Sequence, residues 1–213
     1  MQPVTARFNT LTRLWIAAIA ALAMLIPAAA NAQFSESYNF LKAVRDRDGD
    51  KATSMLNEPG STVVNTKDIS TGETALHIVT ARRDLTWMGF LLQRGANPNA
   101  RDKNGVTPLM LATTLRFADG AQTLLERKAR VDDTNNSGET ALIRAVQLRD
   151  LALVRLLLRE GANPDKQDTI AGQSARDYAK SDFRNPQILD AMTSNDKERT
   201  GSKTSPKVFG PTG

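Results

Sequence analysis

His77 is the only histidine in this chain of 213 residues, and it lies in the stretch GETALHIV, Gly72 to Val79. Histidine titrates near neutral pH, so a lone imidazole is a candidate general base, metal ligand or structural side chain. A general base needs a nucleophile and an orienting acid close by, and a metal site needs further ligands. The residues around His77, and the distances at which they recur, decide among these alternatives.

The composition removes much of this chemistry. The chain has no cysteine, so it has no thiol nucleophile, no disulfide and no cysteine to carry a lipid anchor. A metal site at His77 lacks a second histidine or cysteine ligand. No G-x-x-x-x-G-K or G-x-G-x-x-G phosphate loop occurs. We therefore expect no catalytic residue, no metal and no cofactor.

The stretch DRDGD, residues 46–50, shares part of its pattern with a calcium-binding loop. An EF-hand loop needs glycine at its sixth position and glutamate at its twelfth. Counted from Asp46, the glycine is fourth and the twelfth residue is Asn57. We interpret this stretch as a polar link between two helices.

The N-terminal residues have the composition of a secretory signal. A polar segment with two arginines and no acidic residue precedes the apolar run Leu14–Pro27, and Ala30 and Ala32 then form an A-x-A cleavage pattern. The run is shorter than the ~20 residues of a membrane span. We predict a signal peptide at 1–32, cleaved before Gln33, a periplasmic location and no stable membrane insertion after cleavage. Secretion and an uncleaved membrane anchor are the alternatives.

The charge balance argues against nucleic acid as a partner. The chain has 28 basic and 23 acidic residues, a formal charge of +5. Removing residues 1–32 takes away Arg7 and Arg13, which leaves 26 basic against 23 acidic residues, or +3. Nucleic-acid binding needs clustered lysine and arginine, and a near balance does not supply it.

An internal repeat organises the chain. The motif G-x-[TS] opens GETALH at 72–77, GVTPLM at 105–110, GETALI at 138–143 and GQSARD at 172–177, with glycines 33, 33 and 34 residues apart. A second register, RGANPN at 94–99, RKARVD at 127–132 and EGANPD at 160–165, has the same spacing. Leucine-rich segments lie between the two registers. Self-similarity at a fixed period is the signature of a repeat architecture.

Each copy predicts two helices and a turn. Helix-capping hydroxyls are expected at Thr74, Thr107 and Thr140. Pro108 follows at a first helical position, where its missing N–H donor costs nothing. The leucine-rich segment forms the second helix. Gly95 and Gly161 are placed to end it in the left-handed conformation.

These copies resemble the ankyrin repeat, whose family pattern runs through T-P-L-H-x-A at 33-residue spacing. The resemblance implies an all-α fold, an ankyrin-repeat solenoid, in which the ring of His77 ties neighbouring turns together. Alanine stands at Ala75 and Ala141, where the family has proline. Lys128 replaces a second-helix glycine, and the turns before Gly72 and Gly172 are one residue longer.

The resemblance also predicts the domain boundaries. The ankyrin domain spans 33–193, with central repeats at 69–101, 102–134 and 135–167, and with caps at about 36–68 and 168–193. The stretch 194–213 is rich in Gly, Pro, Ser and Lys, and we predict a disordered tail there.

In the ankyrin family, partners bind the surface formed by the turn tips and the exposed side of the first helices, here called the concave face. The predicted protein-binding residues are Arg82, Arg101, Lys103, Asn104, Thr114, Leu115, Asn136, Ser137, Glu139, Gln147 and Leu148. The resemblance implies a non-catalytic interaction module that binds another protein and is monomeric on its own. A toxin-neutralising immunity protein and a protective factor for a periplasmic enzyme are alternatives, and a hydrolase using His77 is the rival from another class.

Overall fold

Ten α-helices and one short 3-10 helix follow one another along residues 28–201, the part of the chain that this computed structural model describes, with side chains for residues 36–198. The α-helices are α1 Ala28–Asp46, α2 Gly49–Asn57, α3 Ala75–Ala81, α4 Leu85–Gln93, α5 Pro108–Thr114, α6 Ala118–Glu126, α7 Ala141–Gln147, α8 Leu151–Arg159, α9 Ala175–Ser181 and α10 Pro186–Gly201. The 3-10 helix Val63–Asn65 follows α2.

The helices form five pairs of consecutive helices, and the pairs stack so that their first helices make one row and their second helices another. The first helices α1, α3, α5, α7 and α9 contact one another in chain order, and each contacts the second helix of its own pair. In the other row, α4, α6, α8 and α10 also contact one another in order. Buried apolar side chains from both rows form one continuous cluster between them. The predicted all-α solenoid is confirmed.

The threonine of each copy starts a first helix. Thr107 Oγ1 accepts a hydrogen bond from the N–H of Met110 at 3.3 Å, and Thr140 Oγ1 accepts from Ile143 at 3.2 Å. These bonds satisfy N–H groups that have no partner inside the helix. Pro108 is the first residue of α5, and alanine fills the same position in α3 and α7 without a change in the start of the helix.

Aspartate starts most of the second helices. The carboxylates of three residues each accept a backbone N–H from the first turn that follows: Asp48, Asp84 and Asp150. In the second full repeat this position is Phe117, which makes no side-chain cap. Capping by aspartate satisfies a free N–H group where the chain re-enters a helix.

Left-handed residues end the second helices, as the glycine pattern indicates. Gly95 has φ +85° and Gly161 has φ +90°. Lys128 occupies the equivalent position with φ +70°. The lysine therefore takes the same conformation as the glycines it replaces, and the turn geometry is retained despite the cost of a left-handed side-chain residue.

One backbone hydrogen bond joins each turn tip to the next. The N–H of Lys103 donates to the carbonyl of Thr71 at 3.0 Å, and the N–H of Asn136 donates to the carbonyl of Asn104 at 2.9 Å. The N–H of Thr169 continues the series by donating to the carbonyl of Ser137 at 3.0 Å. These turn-tip bonds fix the spacing of successive repeats.

The turn glycines allow this close approach. Gly138 has φ +73°, and a Cβ atom there would lie 2.6 Å from the backbone N of Thr169 in the next turn. Gly72 and Gly105 are crowded by the following turn in the same way. Gly172 has φ +63°, but a Cβ atom there would meet nothing within 4 Å. Three glycines are thus required by both backbone angle and space, and Gly172 by angle alone.

Arginines form a second set of bonds between repeats, here called the arginine ladder. Arg83 donates to the carbonyl of Leu115, and Arg116 donates to the carbonyl of Leu148. Arg149 donates to the carboxylate of Asp182 at 2.7 Å. All three arginines are in the left-handed region, with φ of +55°, +53° and +56°. Each therefore accepts an unfavourable backbone conformation in the turn from which its side chain reaches the next repeat.

The helices extend beyond two predicted boundaries. Helix α1 begins at Ala28, so the cleavage point predicted before Gln33 lies inside it; residues 1–27 of the predicted signal peptide are outside the described residues. Helix α10 continues past the boundary at 193 to Gly201. Asn195 donates to the carbonyl of Leu158 at 3.1 Å, and Asp196 pairs with Arg176 at 2.9 Å, so polar contacts connect this segment to the stack. The remaining tail, 202–213, also lies outside the described residues.

Substitution by alanine should lower the free energy of unfolding by different amounts at the two kinds of turn glycine. Gly172→Ala should cost about 1–2 kcal/mol, the usual penalty for a left-handed alanine. Gly138→Ala should cost distinctly more, because its Cβ also displaces the turn of Thr169. Urea unfolding of both variants measures the difference. Equal losses in the free energy of unfolding would show that the close approach does not constrain the turns.

Candidate functional site

His77 is buried at the joint between the first and second full repeats. Its side chain is 1% exposed. The N–H of Thr74 lies 3.2 Å from Nδ1, and the Thr74 hydroxyl lies 2.9 Å from the same atom. A backbone N–H can only donate, so Nδ1 is the acceptor and the proton is on Nε2. Nε2 donates to the carbonyl of Val106 at 3.0 Å.

This environment favours a neutral imidazole. Burial lowers the pKa of His77 below its ordinary value of 6.5, against the opposing effect of the bond to Val106. Both ring nitrogens are occupied and the ring is closed off from solvent. The imidazole therefore connects helix α3 to the turn of the following repeat, and it presents no free nitrogen to a substrate.

The predicted binding residues divide into two groups by exposure. Five are exposed along the turn tips and first helices: Lys103, Asn104, Thr114, Asn136 and Gln147. Six are half-buried: Arg82, Arg101, Leu115, Ser137, Glu139 and Leu148. The exposed group comes from the second and third full repeats, so the accessible part of the predicted face lies in the middle of the stack.

Arg82 is engaged within the fold. Its Nε donates to Asp84 at 3.1 Å, and its Nη1 donates to the carbonyl of Val44 in α1. The guanidinium also lies over the ring of Trp87, 5.5 Å from its centroid. Arg82 thus joins α1 to the first full repeat, a structural contact that its predicted binding role did not include.

A stripe on the first helices was missed by sequence reasoning. The fourth residue of α3, α5, α7 and α9 is half-buried and lies at the spacing of the repeat: Ile78, Leu111, Arg144 and Tyr178. These four positions follow the capping residues of their helices by four residues each, so the period of the capping motif could have located the stripe. The side chains have no chemistry in common, and so the position does not stand out from residue types alone.

A pocket of about 360 Å³ forms where the third full repeat meets the C-terminal cap. It is here called the C-terminal pocket, and its lining residues are Asn135, Ser137, Glu139, Arg144, Gln147, Asp168, Ile170 and Tyr178. Arg144 Nη2 pairs with Glu139 Oε2 at 2.8 Å, and Asn135 Nδ2 donates to the same oxygen at 3.2 Å. The pocket therefore combines three predicted binding residues with others that only the structure brings together.

Asp168 holds the longer turn at the edge of this pocket. Its Oδ1 accepts the N–H groups of Ile170, Ala171 and Gly172 at 3.2, 2.7 and 3.0 Å. Its Oδ2 accepts the hydroxyl of Tyr178 at 2.7 Å. The bond from Tyr178 is the main cause that lowers the pKa of Asp168. The ionised carboxylate fixes the turn so that Ile170, 80% exposed, projects from its tip.

The other longer turn has a similar arrangement at the N-terminal end. Asp68 Oδ1 accepts the N–H groups of Ser70 and Thr71, and Oδ2 pairs with Arg45 at 2.7 Å. Ile69 is 74% exposed at the tip. The turn borders a pocket of about 390 Å³, here called the N-terminal pocket, with lining residues Ser37, Tyr38, Leu41, Arg45, Thr66, Lys67, Asp68, Ile69 and Ser70.

These surfaces offer contacts and no evident reaction chemistry. Within residues 36–198, no group of three or more histidine, cysteine, aspartate or glutamate side chains is placed to hold a metal ion. In the same described part of the chain, no helix is both long enough and apolar enough to cross a membrane. The arrangement presents polar, charged and apolar side chains from rigid turns, which is suited to recognition of an extended surface.

The comparisons with known proteins identify the class. The family model described as ankyrin repeats in three copies matches residues 40–135 and 90–168. The chain therefore belongs to the ankyrin-repeat family, whose repeats generally mediate binding to other proteins.

One curated relative is similar over part of the chain. Oxysterol-binding protein homolog 1 of Saccharomyces cerevisiae is 33% identical over 85 residues, which is 38% of this chain. The match spans 7% of the yeast protein's length. The similarity thus covers a small part of a much longer protein.

Removing the Tyr178 hydroxyl tests the anchor of the longer turn. Tyr178→Phe should cost about 1 kcal/mol at neutral pH, a typical net value for one partly solvated hydrogen bond. Tyr38→Phe, at an exposed position, is the matched control and should change stability little. Urea unfolding at pH 7 compares the two variants with the parent chain.

The pH dependence gives the same test a second readout. Because the pKa of Asp168 in the folded chain is below the ordinary 3.8, its stabilising effect is complete above pH 3.8 and is lost as the pH falls through the folded value. Tyr178→Phe should weaken this acid-dependent loss. An unchanged profile between pH 4 and pH 2 would contradict the assignment of the bond to the ionised carboxylate.

Proposed function

We propose that the chain is a non-catalytic module that binds one partner protein in the bacterial periplasm through its concave face. The observation that carries the proposal is the series of turn-tip bonds, which aligns exposed side chains from consecutive repeats. Lys103, Asn104 and Asn136 lie on adjacent tips, and the backbone N–H groups of two of them form these bonds. The recognition surface is therefore part of the same structure that stabilises the stack.

A rigid surface of this kind favours a protein partner. Side chains that are already positioned lose little conformational entropy on binding. Between its two end pockets the concave face carries the half-buried Ile78 and Leu111 with exposed polar residues beside them. Mixed polar and apolar contacts over several repeats match the composition of a protein interface.

We propose a non-catalytic module because the ring of His77 is buried and hydrogen-bonded. The ring is 1% exposed and its two nitrogens are bonded to Thr74 and Val106. A hydrolase that used this imidazole would need access to one nitrogen. The described geometry uses Nδ1 at the start of α3 and Nε2 for the bond to the next repeat.

Blocking the concave face tests the binding proposal. Thr114→Arg and Gln147→Arg place a bulky cation at exposed positions at the ends of α5 and α7. Ala118→Arg and Ala152→Arg make comparable changes at exposed positions of the second helices α6 and α8. Crosslinking in a periplasmic extract, followed by affinity purification and mass spectrometry, compares the partners of each variant.

The expected result is that a partner captured by the parent chain is lost from the concave-face variants by at least about tenfold and retained by the second-helix variants. A tenfold loss corresponds to about 1.4 kcal/mol of binding free energy. Circular dichroism confirms that all four variants stay folded. Equal capture by both pairs would refute the concave face as the binding surface.

The proposed location has a separate test. The polar, apolar and A-x-A segments of residues 1–32 support export, and Gln33 is the expected first residue of the mature protein. Intact-mass measurement of the protein from a periplasmic extract determines where it starts. A chain that keeps Leu14–Pro27 and remains with the membrane fraction would instead indicate a tethered module.

A further inference from the structure

The joint between the first and second full repeats contains an ionisable ring that the other joints lack. His77 occupies the third position of α3. The equivalent positions of α5 and α7 hold Met110 and Ile143, which are buried and cannot titrate. In the last repeat the position is Asp177, whose carboxylate accepts from the N–H and hydroxyl of Ser174. Only the first of these joints can therefore gain a positive charge.

The backbone hydrogen bond from Thr74 to Nδ1 requires the neutral ring. Nδ1 accepts from the N–H of Thr74, and Nε2–H donates to the carbonyl of Val106. A protonated imidazole carries hydrogens on both nitrogens. Its Nδ1–H would face the N–H of Thr74, and two donors cannot bond to each other. Protonation thus breaks the bond from the N–H of Thr74, and Nδ1–H keeps only the Thr74 hydroxyl, 2.9 Å away, as an acceptor beside that N–H.

The surrounding charges do not compensate for this cost. Asp102 and Glu73, in the turns on either side of the joint, favour the charged ring, and Lys67 opposes it. The carbonyl of Val106 accepts from Nε2–H in both protonation states, and this bond favours the charged ring. Burial is the largest effect and favours the neutral ring. The joint is therefore closed at neutral pH and is weakened by acid.

We propose that His77 makes this joint an acid-sensitive switch, in which protonation separates α3 from the turn 102–106 while the neighbouring joints stay closed. The turn carries Lys103 and Asn104, two exposed residues of the concave face. Opening would displace these side chains relative to those of the adjacent repeats. An effect on partner binding rests on the function proposed above, whereas the opening itself is a property of the chain alone.

Amide hydrogen exchange on the full chain tests the switch without any partner. Once exchange rates are corrected for their intrinsic pH dependence, protection of amides in 74–81 and 102–107 should fall as the pH drops below 6.5. Linkage to one proton predicts a fall of up to about tenfold per pH unit until the folded pKa is reached. Amides in 138–147 provide the internal reference and should keep their protection over the range pH 7 to 5. NMR of the His77 ring nitrogens reports the protonation directly.

Two variants separate protonation of His77 from other effects of acid. His77→Met introduces the residue that the second repeat already has at Met110, and His77→Asn keeps an acceptor for the N–H of Thr74 without a group that titrates in this range. In both variants the protection of these amides, corrected in the same way, should be independent of pH between 7 and 5. If His77→Met fails to fold, His77→Asn supplies the comparison.

Three results would overturn the proposal. The first is the same loss of protection in the folded variants as in the parent chain. The second is uniform loss across all repeats, which would indicate global acid unfolding. The third is protonation of the His77 ring with no change in protection at 74–81 and 102–107. None of these outcomes depends on whether the chain binds a partner, so they are distinguishable from a failure of the proposed function.

Discussion

The close approach of consecutive turns is the constraint on which this structure depends. A single N–H to carbonyl bond joins each tip to the next, as between Asn136 and Asn104. The bond forms only because a glycine in the left-handed region leaves room for the backbone of the following turn, as Gly138 does. Repeat spacing, the alignment of the first helices and the shape of the concave face all follow from this contact. Side-chain caps and core packing then stabilise a stack whose spacing is already set by the backbone.

Local bonds at the two ends of the stack adapt this scheme to a different turn length. The turns of Asp68 and Asp168 each contain one more residue than those between them. In both, a single carboxylate oxygen collects successive backbone N–H groups, and the second oxygen binds a side chain, Arg45 or Tyr178. The extra residue is thereby held in a defined conformation. The backbone N–H groups of the two longer turns are thus paired with a carboxylate, and these turns line the N-terminal and C-terminal pockets.

The sequence was sufficient for the repeat architecture and insufficient for much of the site. Capping at Thr107 and left-handed termination at Gly95 are local properties, so a 33-residue period reveals them directly. The orientation of Arg82 depends on Val44 in a different repeat, and no local pattern records that contact. Likewise, the stripe that includes Arg144 and Tyr178 consists of dissimilar side chains that share only their position on the helix. Tertiary contacts also carry α10 beyond the point at which its apolar residues end.

The arginine ladder gives the second and third full copies a donor at one side and an acceptor at the other. Arg116 reaches forward to Leu148, while the carbonyl of Leu115 receives the side chain of Arg83. A duplicated segment of one 33-residue period would contain both the arginine donor and the carbonyl acceptor. The copy would engage the preceding and following units without further substitutions. The ladder therefore makes the gain or loss of a whole unit a simpler genetic change than the insertion of a few residues within one.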